Sequence, residues 1–181
     1  MKIVILGNAA TGKTRLAKAL EKQYGIPVLH IDKIQFTQLL QIQPLNETRA
    51  KIKDFMNQES WIIEGYGPLD QLQNRLDDAT HIILLDPPLW RIYAWALRRL
   101  FTLMLRPRPE LPEGANELRW VHIRKLFATL HKVHYGMRPE VLRVLKKPQH
   151  ISKVLHLTQP SQWAHGLGPG FPSVGGPGLA K

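Results

Sequence analysis

Cysteine is absent from all 181 residues. That excludes disulfides, thiolate metal centres and a thiol nucleophile. It suits a reducing cytosol, so a cytoplasmic location is the expectation. Acids are scarce too, with 14 Asp and Glu against 25 Lys and Arg and a formal net charge of +11. The imbalance is local. From Arg91 to Lys147 thirteen basic residues face only Glu110, Glu113, Glu117 and Glu140, which places about +9 of the charge in that span. Such asymmetry asks for a polyanionic partner, either nucleotide phosphates or nucleic acid; a solvated basic helix face is the plainer explanation.

Long hydrophobic runs are also missing. Ile3–Leu6 is too short for a signal-peptide core, and the apolar-rich stretch Leu89–Leu105 carries Arg91, Arg98 and Arg99, so no membrane partner is expected. No N-K-x-D base-reading motif occurs, which ranks a regulatory GTPase last. No helix-turn-helix or zinc-finger pattern occurs either. His122, His131 and His134 have no acidic or thiol ligand near them in sequence and are not read as a zinc site.

Among the residues that are present, five short apolar runs read as strands: Lys2–Leu6, Pro27–Ile31, Ser60–Glu64, His81–Leu85 and Lys153–Leu157. Their unbroken, β-branched character suits a parallel sheet covered on both faces. Helical patterns lie between them, over Lys13–Tyr24, Asn46–Asn57, Leu89–Leu105 and Asn116–Leu145. The alternation predicts βαβ units and a three-layer α/β fold. Arg106–Gly114 reads RPRPELPEG, a loop between two long helices and a candidate lid, with the lid region spanning about 98–120. The expected domain is 1–163. Residues 164–181, rich in Gly and Pro, are expected to be a disordered tail.

One motif is specific. Gly7, Asn8, Ala9, Ala10, Thr11, Gly12, Lys13 and Thr14 match G-x-x-x-x-G-K-[ST]. The motif follows an apolar strand and opens a helix, the context that turns the pattern into a phosphate cradle. Glycines let backbone N–H groups face inward. The helix start favours an anion, Lys13 supplies a point charge, and the Thr14 hydroxyl is placed for Mg²⁺.

Taken in order, MKIVILGNAATGKTRLAKAL, GIPVLHID, WIIEGY, HIILLDPPLWR with Arg98-Arg99, and RPRPELPEG resemble the adenylate-kinase-like P-loop proteins of the DNA topology modulation (FlaR-type) family. The likeness runs from about Met1 to about Gln159. It implies a nucleoside monophosphate kinase-like fold with a central parallel five-stranded sheet, and ATP with Mg²⁺ as donor; it leaves the acceptor open. Two departures bear on the acceptor side. The third strand ends Glu64-Gly65-Tyr66-Gly67 where relatives commonly have Asp-Gly-Asn-Tyr, and the segment after Asp32 is poor in tryptophan.

The remaining candidates follow from position. Asp32 is expected to end the second strand, facing an acceptor or acting as base on its hydroxyl; a helix cap is the plainer role. Glu64, ending the third strand, is expected to hold Mg²⁺ through water. Asp86, ending the fourth, is read as mainly structural. Arg98 and Arg99, with Arg106 on the lid, are candidates for stabilising transferred phosphoryl charge, or are simply solvated. The expected function is therefore transfer of a phosphoryl group from ATP·Mg²⁺ to a small acceptor, a nucleotide or related molecule. The alternative is an ATP-regulated nucleic-acid-binding protein that contacts DNA through 91–147.

Overall fold

The computed structural model of the chain describes residues 1–35, 43–105, 120–163 and 167. Five strands form one parallel sheet: β1 (Lys2–Gly7), β2 (Val28–His30), β3 (Trp61–Glu64), β4 (His81–Leu85) and β5 (Val154–Leu157), in the order β2-β3-β1-β4-β5. Because side chains alternate across a strand, β1 divides its residues between two layers. Ile3 and Ile5 pack with Leu16, Ala17 and Leu20 of helix α1 (Lys13–Tyr24). Val4 and Leu6 pack on the other face with Ile52 of α3 (Leu45–Met56), Leu76 of α4 (Leu72–Asp78) and Val141 of α7 (Arg138–Leu145). Two buried clusters on opposite faces make the three-layer α/β fold expected from the sequence, and unbroken apolar strands are its signature. Leu167, within the glycine- and proline-rich stretch, is buried in the α1-side cluster; the rest of 164–181 lies outside the described residues.

Helix α1 spans the expected residues, and its end has a physical cause. Gly25 takes a left-handed φ of 66° and its N–H donates to the Glu21 carbonyl at 2.8 Å, closing the last turn where a Cβ would be strained. The helix expected over Asn116–Leu145 is found as α6 (Trp120–Lys132) and α7 (Arg138–Leu145), joined by a π-helical segment, Val133–Met137; residues 116–119 lie outside the described residues. Helix α5 (Leu89–Leu105) contributes Ile92 and Ala96, and α6 contributes Leu130, to a third cluster against Ala9 and Ala10. The two helices therefore seat directly on the glycine-rich loop.

The strand expected over Pro27–Ile31 stops at His30. Ile31 instead opens a short helix, α2 (Ile31–Gln35). Its buried side chain sits under the turn after β3, where a Cβ on Gly65 would come within 3.3 Å of Ile31 Cβ and one on Gly67 within 2.9 Å of Ile31 Cγ2. Glycine at these two positive-φ positions lets the turn cross Ile31 at close range. Among the described residues no helix is long and apolar enough to cross a membrane.

Candidate functional site

The loop from Gly7 to Thr14 joins β1 to α1 at the carboxyl edge of the sheet, where ligands of open α/β sheets bind. Its curvature is built from left-handed residues. Ala10 has φ 61° and Gly12 φ 89°. At Gly7, with φ 150°, an added Cβ would lie 2.6 Å from the Leu85 carbonyl, so the first glycine of the motif is required by contact with β4. The loop is then tied from three directions. Asn8 donates through Nδ2 to the Leu130 carbonyl of α6 at 2.7 Å and accepts the Ala9 N–H on Oδ1 at 2.8 Å. The Thr11 hydroxyl donates to the Asn8 carbonyl at 2.8 Å. Trp163, just beyond β5, donates its indole N–H to the Thr11 carbonyl at 3.1 Å.

Helix α1 begins without help from side chains. Its N-cap, Gly12, offers no capping hydrogen bond, and no acid stands in the first turn. The first amides of a helix have no intrahelical partners, so this terminus keeps its positive end for an outside anion. Lys13 adds an ammonium within the loop, where it donates to the Asn8 carbonyl at 2.9 Å and lies 4.0 Å from Glu64 Oε1. Burial pushes its pKa below the ordinary lysine value, against the opposing pull of Glu64 and Asp32. A desolvated cation of this kind gains most when a polyanion arrives.

Thr14 donates its hydroxyl proton to Glu64 Oε2 at 3.1 Å. With the proton turned toward the carboxylate, the hydroxyl lone pairs are available on the other side. A hard cation takes oxygen ligands of this type together with phosphate oxygens and water. The donor set therefore fits a nucleoside triphosphate with Mg²⁺: uncapped amides, Lys13, the Thr14 oxygen and the nearby carboxylate. Among the described residues no group of three or more His, Asp or Glu is placed to hold a metal ion.

Asp32 is near but not where it was expected. It stands in the first turn of α2 instead of at a strand end, because β2 pairs with β3 only as far as His30↔Glu64. It is exposed at the mouth of the site, yet enough protein flanks it to raise its carboxyl pKa; Lys13 opposes that shift and Glu64 reinforces it. Arg98 and Arg99 are both exposed on α5. At about 3.6 residues per turn, Arg98 falls roughly 200° around the helix from buried Ala96, on the side away from the loop. Arg106 lies outside the described residues.

Two features escaped the sequence reading. His30 places Nδ1 at 2.7 Å from Glu64 Oε2. Arg138, at the start of α7, pairs with Asp86 through Nε at 2.6 Å and Nη2 at 2.8 Å, while His156 Nε2 meets Asp86 Oδ2 at 2.9 Å. Burial alone would raise the Asp86 carboxyl, but the bonds from His156 and Arg138 outweigh it and hold the group below the usual value. These ties agree with a structural role for Asp86. The signal for His30 was present in the run HID, one register step from the strand end that was assigned.

A family model described as isopentenyl transferase matches residues 1–65. The match covers β1, the Gly7–Thr14 loop, α1, His30, Asp32 and Glu64; the matched family is one of P-loop, ATP-using transferases. A search of curated proteins finds no match.

Proposed function

We propose that this chain is an adenylate-kinase-like phosphotransferase that moves the γ-phosphoryl group of ATP·Mg²⁺ to a hydroxyl or phosphate of a small acceptor, a nucleotide or a related molecule. The observation that carries the reading is the Thr14–Glu64 pair set beside an uncapped, lysine-bearing helix start. Mg²⁺ bound there would screen the charge of the β- and γ-phosphates. The loop amides and Lys13 would hold those oxygens and Thr14 would offer its oxygen to the cation, while Glu64 fixes the direction of the Thr14 proton. Asp32 stands at the open mouth, and its raised pKa makes its carboxylate a better proton acceptor. In the transfer, the acceptor oxygen bonds to the γ-phosphorus, the bond to the β–γ bridging oxygen breaks and ADP leaves; where the acceptor is a hydroxyl, its proton passes to Asp32, and an ionised phosphate acceptor has none to lose.

A second reading is favoured by the family match over residues 1–65. The same cradle would hold the diphosphate of an isopentenyl donor, and the group transferred would be the hydrocarbon. One screen separates the two: γ-labelled ATP·Mg²⁺ and an isopentenyl diphosphate, each offered with a panel of nucleotides and small hydroxyl compounds, beside Lys13→Ala. Label appearing on an acceptor supports phosphoryl transfer. Release of unlabelled diphosphate with an alkylated product supports the second reading. Wild-type and Lys13→Ala proteins that behave alike on both donors would remove both.

The exposed cations Arg98, Arg99, Arg124, Lys125, Lys132, Lys146 and Lys147 keep nucleic-acid binding as a further reading of the basic span. Duplex binding of that kind weakens steeply as salt rises, and an affinity flat across a salt titration would dismiss it.

A further inference from the structure

We propose that His30 is a positioning residue for the magnesium-holding pair: its Nδ1–H fixes the Glu64 carboxylate so that Thr14 presents its lone pairs to the cation. The inference rests on the phosphoryl-transfer reading of the loop and adds a residue to it. Three observations support it. First, His30 and Glu64 are direct register partners at the ends of adjacent parallel strands, so their side chains leave the sheet on the same face. Second, both His30 Nδ1, at 2.7 Å, and the Thr14 hydroxyl, at 3.1 Å, converge on Oε2 of Glu64, leaving Oε1 toward Lys13 at 4.0 Å. Third, the imidazole and the carboxylate are both largely withdrawn from solvent, with 12% and 4% of their side chains exposed, so neither has a water shell to replace the other.

The chemistry of the contact assigns the proton. An ionised carboxylate only accepts, so the ring nitrogen facing it must donate. One acceptor oxygen bonded twice cannot rotate away without breaking both bonds. Removing His30 frees the Glu64 carboxylate to turn toward Lys13, its nearest cation. The Thr14 proton then loses its fixed acceptor, and the hydroxyl oxygen loses its fixed direction. Groups that orient a metal-binding side chain commonly change metal affinity by about 10- to 100-fold when mutated.

The test compares wild type with His30→Leu, which removes the donor, and His30→Asn, whose side-chain N–H can occupy the Nδ1 position. ATP affinity is measured by calorimetry with EDTA and again with Mg²⁺. Each protein's metal-free affinity is its own baseline, and in His30→Leu that baseline should also fall, because Glu64 turned toward Lys13 competes with the phosphates. The gain on adding Mg²⁺ should fall about tenfold or more in His30→Leu and recover to within about threefold of wild type in His30→Asn. In ¹⁵N-histidine spectra of the ligand-free protein, the resonance lost in His30→Asn should carry its proton on Nδ1. A His30→Leu protein with an undiminished magnesium gain, or a His30 ring protonated only on Nε2, overturns the positioning role and leaves the parent reading standing. A wild-type protein that binds no ATP in either condition removes the parent reading and this one with it.

Discussion

The side-chain amide of Asn8 donates to the backbone carbonyl of Leu130 at 2.7 Å, joining residues 122 positions apart. One residue of the phosphate loop is thereby bolted to the helix that lies over it, three residues before the π-helical segment Val133–Met137. π-segments often occur at functional sites, and here the irregular turn lies between Leu130, held by the loop, and Arg138, held by Asp86. Asn8→Ala removes two hydrogen bonds, the one to Leu130 and the one from Ala9 N–H. Loss of buried bonds of this kind should cost about 1–3 kcal/mol. Urea unfolding measures it, and amide exchange should quicken in α6 before the rest of the fold. Unchanged unfolding and unchanged exchange would mean the tie does no mechanical work.

Lys13 is expected to separate binding from stability. Its ammonium is buried and its pKa depressed by that burial, so folding gains little from the charge. Lys13→Ala should keep its melting temperature, or raise it by about a few degrees, while triphosphate affinity falls about 10- to 100-fold, the worth of one strong charged hydrogen bond. Differential scanning fluorimetry and calorimetry report the two quantities separately. Equal affinity in variant and wild type would remove the role given to the lysine.

Asp86 should govern part of the acid limit of stability. Its folded pKa is held below the unfolded value of about 3.9 by His156 and Arg138, despite burial. A lowered carboxyl pKa contributes stability that is fully present above the unfolded pKa and is lost as pH falls through the folded one. Wild type should therefore lose unfolding free energy on acidification below about pH 4. Asp86→Asn should be weaker at pH 7 by about 1–3 kcal/mol, with a shallower acid limb. Urea midpoints at a series of pH values measure both, and parallel curves for the two proteins would exclude the assignment.

The sheet was legible in the sequence because unbroken β-branched runs such as Ile3–Leu6 and Ile82–Leu85 have no other use in a chain of this size. The loop was legible because its chemistry is local: eight consecutive residues carry the curvature, the cation and the hydroxyl. What escaped depended on contacts between distant segments. A strand running to Ile31 puts Asp32 at its end, whereas the register ends at His30↔Glu64, and that one-residue difference separates Asp32 from His30, the residue that touches the carboxylate. The helices α2, α4 and α8 (Pro148–Ile151) are four to seven residues long. Helices this short form through packing more than propensity. The pairing of Arg138 with Asp86 spans 52 residues, and no pattern in a single sequence announces it.

Arg75 gives the sharpest structural test of the turn that follows Glu64. Its side chain is fully buried. Nη1 donates to the Gly65 carbonyl at 3.1 Å, Nη2 to the Tyr66 carbonyl, and Nε reaches the Gln71 carbonyl at 3.4 Å. Burial lowers its pKa to about 10, with Asp70 offering only partial compensation, so the guanidinium stays charged at neutral pH and is satisfied mainly by backbone oxygens. Two of those oxygens, of Gly65 and Tyr66, belong to the glycine turn that passes over Ile31, and that turn sets where β3 ends and Glu64 points. Arg75→Met fills similar volume but leaves the carbonyls unpaired, at about 1–3 kcal/mol for each. The variant should unfold about 2–5 kcal/mol more easily. Any folded fraction should show a reduced Mg²⁺-dependent gain in ATP affinity with metal-free binding unchanged, because the loop amides and Lys13 do not depend on the turn. A variant as stable as wild type would mean that water or a rearranged backbone satisfies the turn without the arginine.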